Sequence, residues 1–255
     1  MASLLPSAAV GTLIDTLDTR QDSVAFCSPT LASVYNNPTA EADVATYFNT
    51  TINKNTSYAF YDNNWKMVYD KYNDKNIWIP CDSDCAALWS LVFANNQPYM
   101  SMAGLNRGQL KNVIKLAWNA DEDQQSSLYD SSINSIISLK GEGTVLFGDK
   151  TALKRPSAFN RINVRGLFIV LKKNIARAAR YQLFELNDQI TRTIFRNATN
   201  RYLGGFKRGI ERYLVVCDET NNTATVINNN DFVGDIYIDP SRSINNIRLN
   251  FVAVA

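Results

Sequence analysis

Apolar residues in the first hundred positions alternate between helical and strand-like spacing. Between Val10 and Arg20 they recur every three or four residues, which predicts an amphipathic helix. A second helix is predicted after Thr39, because this residue type favours the N-cap position and acidic residues follow it. Short apolar runs predict strands at 23–27, 57–61, 65–69 and 76–80, with a turn at 62–64 and a third helix at 86–93.

The second half of the chain contains the strongest helical pattern. It extends from about Asn163 to Leu186, and a second helix is predicted from Asp188 to Leu203, ended by Gly204 and Gly205. The predicted buried stripe of the longer helix consists of Val164, Leu167, Phe168, Leu171, Ile175, Ala178 and Ala179. Strands are predicted at 112–118, 143–148, 213–217, 223–227, 232–238 and 244–254, with a polar break at 121–123.

These elements predict an α+β fold, with a partial α/β part followed by a helix-plus-β-sheet part. A parallel α/β unit normally opens with a strand, whereas this chain opens with a helix. We therefore expect Met1 to begin a piece of a longer protein.

The composition argues against the common catalytic and metal-binding chemistries. Histidine, the commonest general base and metal ligand, is absent from all 255 positions. Cys81 and Cys85 could supply two zinc ligands, but Cys27 and Cys217 do not form a second close pair. We expect four buried, reduced thiols, no catalytic residue, no metal, no cofactor and no enzymatic activity.

The segment 143–151 superficially resembles a phosphate-binding loop. Asp149 stands between the second glycine and Lys150, where a carboxylate would repel phosphate groups. Because the residues between the two glycines are apolar, we expect a strand there instead.

Positive charge is concentrated in residues 151–213. This segment has fourteen basic and three acidic residues, a net charge of +11, so the rest of the chain must be −9 to give the total of +2. Several of these basic residues lie opposite the apolar stripe of the long predicted helix, while Phe168, Tyr181 and Phe184 are expected to pack in the core. The basic face fits a solvated surface, a contact with an acidic protein or a nucleic-acid contact.

Targeting signals are not evident in the sequence. No apolar run reaches the roughly 18 residues that span a membrane, and the N-terminus lacks the basic and apolar regions of a secretory signal. We expect a soluble product made in the cytoplasm, with no membrane partner.

Several stretches occur in an order typical of one protein family. They are NRGQ at 106–109, VLFGDKT at 145–151, PSAFNRINVR at 156–165, VVCDETNN at 215–222 and DIYIDPSRSIN at 235–245. Together they resemble the C-terminal domain of tail sheath proteins from T-even-like bacteriophages. The first hundred residues, including YDKYND at 69–74, resemble the central α/β domain of that family more loosely.

The resemblance implies a structural, non-enzymatic subunit of a contractile tail sheath in the virion, made in the host cytoplasm. Such subunits assemble as six-fold discs around a tail tube, and their contraction drives the tube through the host envelope without ATP. The implied division is a partial central domain at 1–105 and a tube-proximal C-terminal domain at 106–255. The implied partners are other copies of the chain, the tail tube protein, and the baseplate and tail terminator proteins.

Two groups of residues are predicted to make the assembly contacts. The candidate contacts with the tube or a neighbouring subunit are Arg165, Lys172, Lys173, Arg177 and Arg180. The candidate strand-exchange segment contains Ile247, Leu249 and Phe251, whose spacing is that of a strand. The alternatives are a sheath of a related contractile injection system, such as a bacteriocin or a type VI-like machine, and a nucleic-acid-binding protein that uses its basic helix.

Overall fold

The computed structural model describes residues 4–95 and 97–244, in which helices and strands are interspersed. The helices of this part are α1 (Ser7–Arg20), α2 (Ala40–Thr46), α3 (Asp82–Ala94), α4 (Glu122–Asp130), α5 (Ile162–Ala179), α6 (Gln189–Leu203) and α7 (Ala224–Asn228). Its strands are β1 (Ala25–Cys27), β2 (Ala59–Tyr61), β3 (Trp65–Asp70), β4 (Lys75–Pro80), β5 (Lys115–Leu116), β6 (Ser135–Leu139), β7 (Gly143–Phe147), β8 (Ile210–Val216) and β9 (Asp235–Pro240). The predicted α+β class is confirmed.

The strands form small separate ladders. β1 and β2 pair in parallel, whereas β3 pairs antiparallel with both β4 and β5. The strands predicted at 57–61 and 65–69 are therefore confirmed, but each pairs with a different partner instead of forming a hairpin across residues 62–64. β6 with β7, and β8 with β9, form two further antiparallel pairs.

Polar side chains at 62–64 make contacts inside the core where a hairpin turn was expected. Asp62, Asn63 and Asn64 are all fully buried. The Asn63 side-chain oxygen accepts a hydrogen bond from the amide of Ile136 at 2.8 Å. The Asn64 side-chain amide donates to the carbonyls of Trp118 and Ile136 at 2.8 and 3.1 Å. The side-chain amides of Asn63 and Asn64 thus pair with buried backbone groups of Ile136 in β6 and of Trp118. Residues 62–64 therefore connect β2 and β3 to β6 inside the core.

Three hydrophobic clusters form the core. The first joins α1 and α2 to β1, β2 and Leu128, and the second joins α3 to β6, β7 and Ile162. The third contains Leu167, Leu171 and Ile175 of α5, together with residues of α6, β8 and β9. Residues on both sides of position 105 share the first two clusters, and the division at 105/106 stays a prediction.

Two of the predicted elements were wrong in type. The polar break at 121–123 is the start of α4, where Asp121 accepts from the Gln124 amide at 2.9 Å and its own amide donates back to the Gln124 side chain at 3.1 Å. This reciprocal pair is a capping box, which favours a helix despite the polar composition. The strand predicted at 223–227 is instead the short helix α7, beside which the Asn222 side chain exchanges two hydrogen bonds with Val233, at 2.8 and 2.9 Å.

Other predictions differ in their limits. α5 ends at Ala179 instead of 186, and Ala178 is exposed instead of buried. The strand predicted at 112–118 is reduced to Lys115–Leu116. The strand predicted at 244–254 lies outside the described residues, apart from Ile244, which is exposed and not in a strand.

Among the described residues, none of the helices combines the length and apolar character needed to cross a bilayer.

The buried Asp62 carboxyl predicts an unusual pH dependence of stability. Burial raises the pKa of this carboxyl well above its ordinary range, and the hydrogen bonds from the Asn64 amide (3.1 Å) and the Ser28 hydroxyl (2.8 Å) offset only part of the rise. A carboxyl whose pKa is raised by folding stabilises the protein below its unfolded pKa of about 4, and this contribution is lost as pH rises through the folded pKa.

Relative to Asp62→Asn, the unsubstituted protein is therefore expected to lose stability above about pH 4, by up to about 1.4 kcal/mol per pH unit until the folded pKa is passed. Denaturant unfolding at a series of pH values measures this difference. The exposed Asp231→Asn variant, which also removes one carboxyl, is the control. A constant offset for Asp62→Asn across the pH series would contradict the prediction.

Candidate assembly surface

Helices α5 and α6 form a hairpin whose inner faces pack together. Leu167, Leu171 and Ile175 of α5 are buried in the third cluster, which also contains Phe195 of α6. The side-chain amide of Asn174 donates to the hydroxyl of a tyrosine near the end of α6 at 2.7 Å. The predicted apolar stripe is thus confirmed over most of the helix, and its opposite face is left to solvent.

The basic face of α5, which we define as Lys172, Lys173, Arg177 and Arg180, is exposed. The Lys172 ammonium donates to the side chain of Gln21 at 3.0 Å. No carboxylate of the described residues lies within 4.0 Å of these four cations. Their charge is therefore directed outward and available for an acidic surface.

Arg165 is placed differently from the other predicted contact residues. Its guanidinium lies over the rings of Tyr58 and Phe159, at 4.3 and 4.0 Å from their centroids. It donates hydrogen bonds to the Tyr58 hydroxyl at 3.0 Å and the Ser57 hydroxyl at 2.5 Å. Burial lowers the pKa of this side chain. Arg165 is therefore half-buried and joins α5 to the segment before β2, and its expected contact with the tube or a neighbouring subunit stays a prediction.

An exposed apolar group, here called the apolar tip, covers the end of the α5–α6 hairpin. Its members are Tyr181, Leu183, Phe184, Leu186, Ile190 and Ile194, which are 56–104% exposed. The expected core positions of Tyr181 and Phe184 are wrong because α5 ends before them, and Phe184 adopts a left-handed backbone with φ +71°. Phe168 is half-buried, with its ring 4.8 Å from that of Phe159. No glycine or proline marks the end of α5, so sequence reasoning missed the tip.

The strands β8 and β9 form a two-stranded sheet whose outer edges have no partner strand among the described residues. Ile236 and Ile238 pack towards the third cluster, while Tyr237 between them is 61% exposed. The candidate strand-exchange residues Ile247, Leu249 and Phe251 lie outside the described residues.

Curated relatives align with nearly the whole chain. It is 47% identical over 249 residues to the tail sheath protein of Enterobacteria phage T4, an alignment covering 93% of this chain and 38% of that protein. It is 45% identical over 251 residues to the tail sheath protein of Vibrio phage KVP40, covering 92% of this chain and 37% of that protein. The chain is similar to phage tail sheath proteins over nearly its whole length. It spans less than two fifths of the length of these relatives.

Two further comparisons agree with this similarity. Residues 154–253 of the chain match the family model of the phage tail sheath C-terminal domain. Its fold matches the PVC sheath complex of an extracellular contractile injection system in the contracted state, with a TM-score of 0.76 and 21% identity. That match covers 95% of this chain and 68% of the other, and at this identity it shows the shared fold.

The remaining candidate sites of the chain are the cysteines and the phosphate-loop-like segment, and the structure shows where each of them lies. All four cysteines are buried and free, and burial raises the pKa of the Cys81 and Cys85 thiols well above their ordinary range. The phosphate-loop-like segment contains β7, paired antiparallel with β6, and Asp149 beyond it forms an ion pair with Arg161 at 3.1 Å. No group of metal-binding side chains is found within the described ranges.

Substitution of the two kinds of arginine on α5 should change stability by very different amounts. Arg165→Ala is expected to lower the free energy of unfolding by about 2–3 kcal/mol, because it removes two ring contacts and two hydrogen bonds. Arg177→Ala, on the exposed basic face of the same helix, is the matched control and should change stability by less than about 0.5 kcal/mol. Urea unfolding measures both, and equal losses would refute the internal role of Arg165.

Proposed function

We propose that the chain is a structural subunit of a contractile phage tail sheath. It assembles as six-fold discs around the tail tube, and contraction of the stack drives the tube through the host envelope. The observation that carries this proposal is the 47% identity to the phage T4 tail sheath protein across 93% of the chain. The role is structural, located in the virion after synthesis in the host cytoplasm.

A sheath of a related contractile injection system is the second candidate. The fold match to the PVC sheath complex favours it, but the identity there is 21%, against 45–47% for the phage proteins. The phage assignment is therefore preferred. The proposed partners are other copies of the chain, the tube protein, and the baseplate and terminator proteins, and the proposed division of the chain is 1–105 and 106–255.

We assign the contact with the tube or a neighbouring subunit to the α5–α6 hairpin. The basic face offers four outward cations, and the apolar tip beside it exposes six large side chains. Apolar surface of this kind is typical of binding sites, and the adjacent charges would select an acidic partner and orient it. Arg165 supports this surface by fixing α5 to the segment before β2.

Strand exchange is the proposed link between subunits. A two-stranded sheet is only marginally stable alone, and β8–β9 presents two edges that an added strand could pair with. The segment containing Ile247, Leu249 and Phe251 has the alternating pattern of such a strand. Main-chain pairing of this kind is preserved during rigid-body movement of subunits, because it does not depend on the surfaces that slide.

Electron microscopy tests the proposed function directly. The complete protein that contains this sequence is expected to form striated tubes of six-fold symmetry when mixed with the tail tube protein of the same phage. Absence of any polymer, together with salt-dependent binding to DNA, would reject the sheath role and support the nucleic-acid alternative.

Charge reversal tests the basic face. Lys173→Glu combined with Arg177→Glu should reduce cosedimentation of the chain with the tail tube protein, or with other copies of the chain, at least tenfold. The reason is that it replaces attraction to an acidic surface with repulsion. Lys111→Glu combined with Lys140→Glu makes the same change in net charge at exposed positions elsewhere and serves as the control. Equal weakening by both pairs would show that only net charge matters.

The apolar tip should be needed for assembly but not for folding. Phe184→Asn removes a fully exposed ring and places a residue that tolerates φ +71°. The melting temperature is expected to stay constant or rise by about 1–3 °C, while tube formation by the complete protein weakens. A lowered melting temperature with unchanged assembly would contradict both parts.

A further inference from the structure

The chain that follows β9 is fixed to earlier parts of the molecule at two points. Directly after the strand, the Ser241 amide donates to the Gly209 carbonyl at 3.0 Å. Two residues later, the Ser243 hydroxyl donates to the Oδ2 atom of Asp149 at 2.8 Å. Asp149 lies 94 residues earlier in the chain, just beyond β7. The second contact therefore joins the end of the described chain to a region outside the β8–β9 pair.

Asp149 is a preorganised acceptor for this contact. It is only 5% exposed, and its backbone carbonyl accepts from the amide of Ile162, in the first turn of α5, at 2.9 Å. Its Oδ1 atom accepts from the Arg161 guanidinium at 3.1 Å and from the Tyr129 hydroxyl at 3.3 Å. Groups of α4 and of the start of α5 thus hold the carboxylate in place, and its Oδ2 atom is the one that Ser243 contacts.

Tyr129 completes the network around this carboxylate. Its hydroxyl accepts from Arg161, so that Tyr129, Arg161 and Asp149 form a closed triangle of hydrogen bonds. The Lys150 ammonium donates to the Tyr129 carbonyl at 2.5 Å and lies 3.9 Å from the centre of its ring. A hydroxyl that donates to a carboxylate makes a charge-assisted hydrogen bond, which is roughly twice as strong as a neutral one. The bond from Ser243 is therefore a firm anchor for the chain.

This anchor limits where the candidate strand-exchange segment can lie. Ile247 is four positions beyond Ser243 and can lie at most about 14 Å from it. With Ser241 as the last fixed point, six positions would allow a distance of about 21 Å. The bond to Asp149 therefore reduces the volume open to Ile247 about threefold.

We propose that Asp149 is a positioning residue for strand exchange. Through its hydrogen bond to Ser243 it fixes the point from which the C-terminal segment leaves the subunit towards the β8–β9 edge of a second copy of this chain. The inference rests on the strand exchange proposed above and adds the residue that directs the segment. A segment with a fixed origin loses less conformational freedom when it pairs than a segment with a free origin.

The mobility of a spin label at position 244 tests the anchor in the isolated chain. Ile244 is 84% exposed and the four native cysteines are buried, so a nitroxide can be attached selectively to Ile244→Cys. Ser243→Ala is expected to raise the ratio of mobile to immobile spectral components at least about tenfold, because it removes a hydrogen bond to a charged group. Ser243→Thr keeps the hydroxyl and should retain the unsubstituted ratio.

Ser241→Ala is the matched control for this measurement. The bond from Ser241 to Gly209 uses the backbone amide and is preserved by the substitution. The ratio should therefore change by less than about twofold. The melting temperature is expected to be the same in both alanine variants, which separates loss of the anchor from loss of the fold. Equal ratios in Ser243→Ala and Ser241→Ala would overturn the proposal.

Asp149→Asn shows whether the anchor acts through Asp149. The amide that replaces the carboxylate is uncharged, so Ser243→Ala should raise the ratio less in this background than in the unsubstituted chain. The same rise in both backgrounds would mean that another group holds Ser243, and the assignment to Asp149 would be wrong.

Tube formation by the complete protein that contains this sequence tests the part played in strand exchange. Ser243→Ala should lower the initial rate of tube formation about threefold, in proportion to the larger volume open to Ile247, and Ser243→Thr should not. An unchanged rate, despite raised mobility at position 244, would reject the link to assembly. If the unsubstituted protein forms no tubes, the sheath proposal itself fails, whereas the spin-label comparison still decides whether Asp149 fixes Ser243.

Discussion

The architecture depends on buried side-chain amides that replace a continuous sheet. Asn63 and Asn64 satisfy backbone groups of Ile136 and Trp118, and Asn134 makes a similar bridge, accepting from the Lys150 amide at 2.8 Å and donating to the Tyr61 carbonyl at 2.9 Å. Short strands leave unpaired backbone groups that are costly to bury, and these amides remove that cost. Gly148 is required beside them, since a Cβ there would lie 2.7 Å from the Asn134 side-chain oxygen.

Three exposed surfaces outside this core are the ones to which the assembly contacts are assigned in the proposal above. The basic face, the apolar tip and the edges of β8–β9 all belong to the part of the chain from α5 onward. Exposed large apolar side chains, and strand edges without a partner among the described residues, are features that an isolated soluble domain normally avoids. All three therefore lie in the part of the chain to which the assembly contacts are assigned in the proposal above.

Sequence reasoning predicted the elements that follow a simple period. The stripe of α5, the helix α6 with its glycine end and the strand β7 between glycines all follow from side-chain spacing. It failed where a specific hydrogen bond decided the outcome, as at the capping box of Asp121 and the side chain of Asn222. It also failed for Phe184, because the end of α5 depends on tertiary packing. The charge imbalance identified the basic face, but no periodicity indicated the apolar tip beside it.

The span of α5 across two packing clusters has a mechanical consequence. Its first turn is held in the second cluster through Ile162 and against Tyr58 through Arg165, while its remainder belongs to the third cluster. An 18-residue helix is a stiff rod about 27 Å long, so tilting it by about 10° at the clamped end displaces the far end by about 5 Å. The helix can thus work as a lever, converting a small rotation near β2 into a large excursion of Ala179 and the tip beyond it.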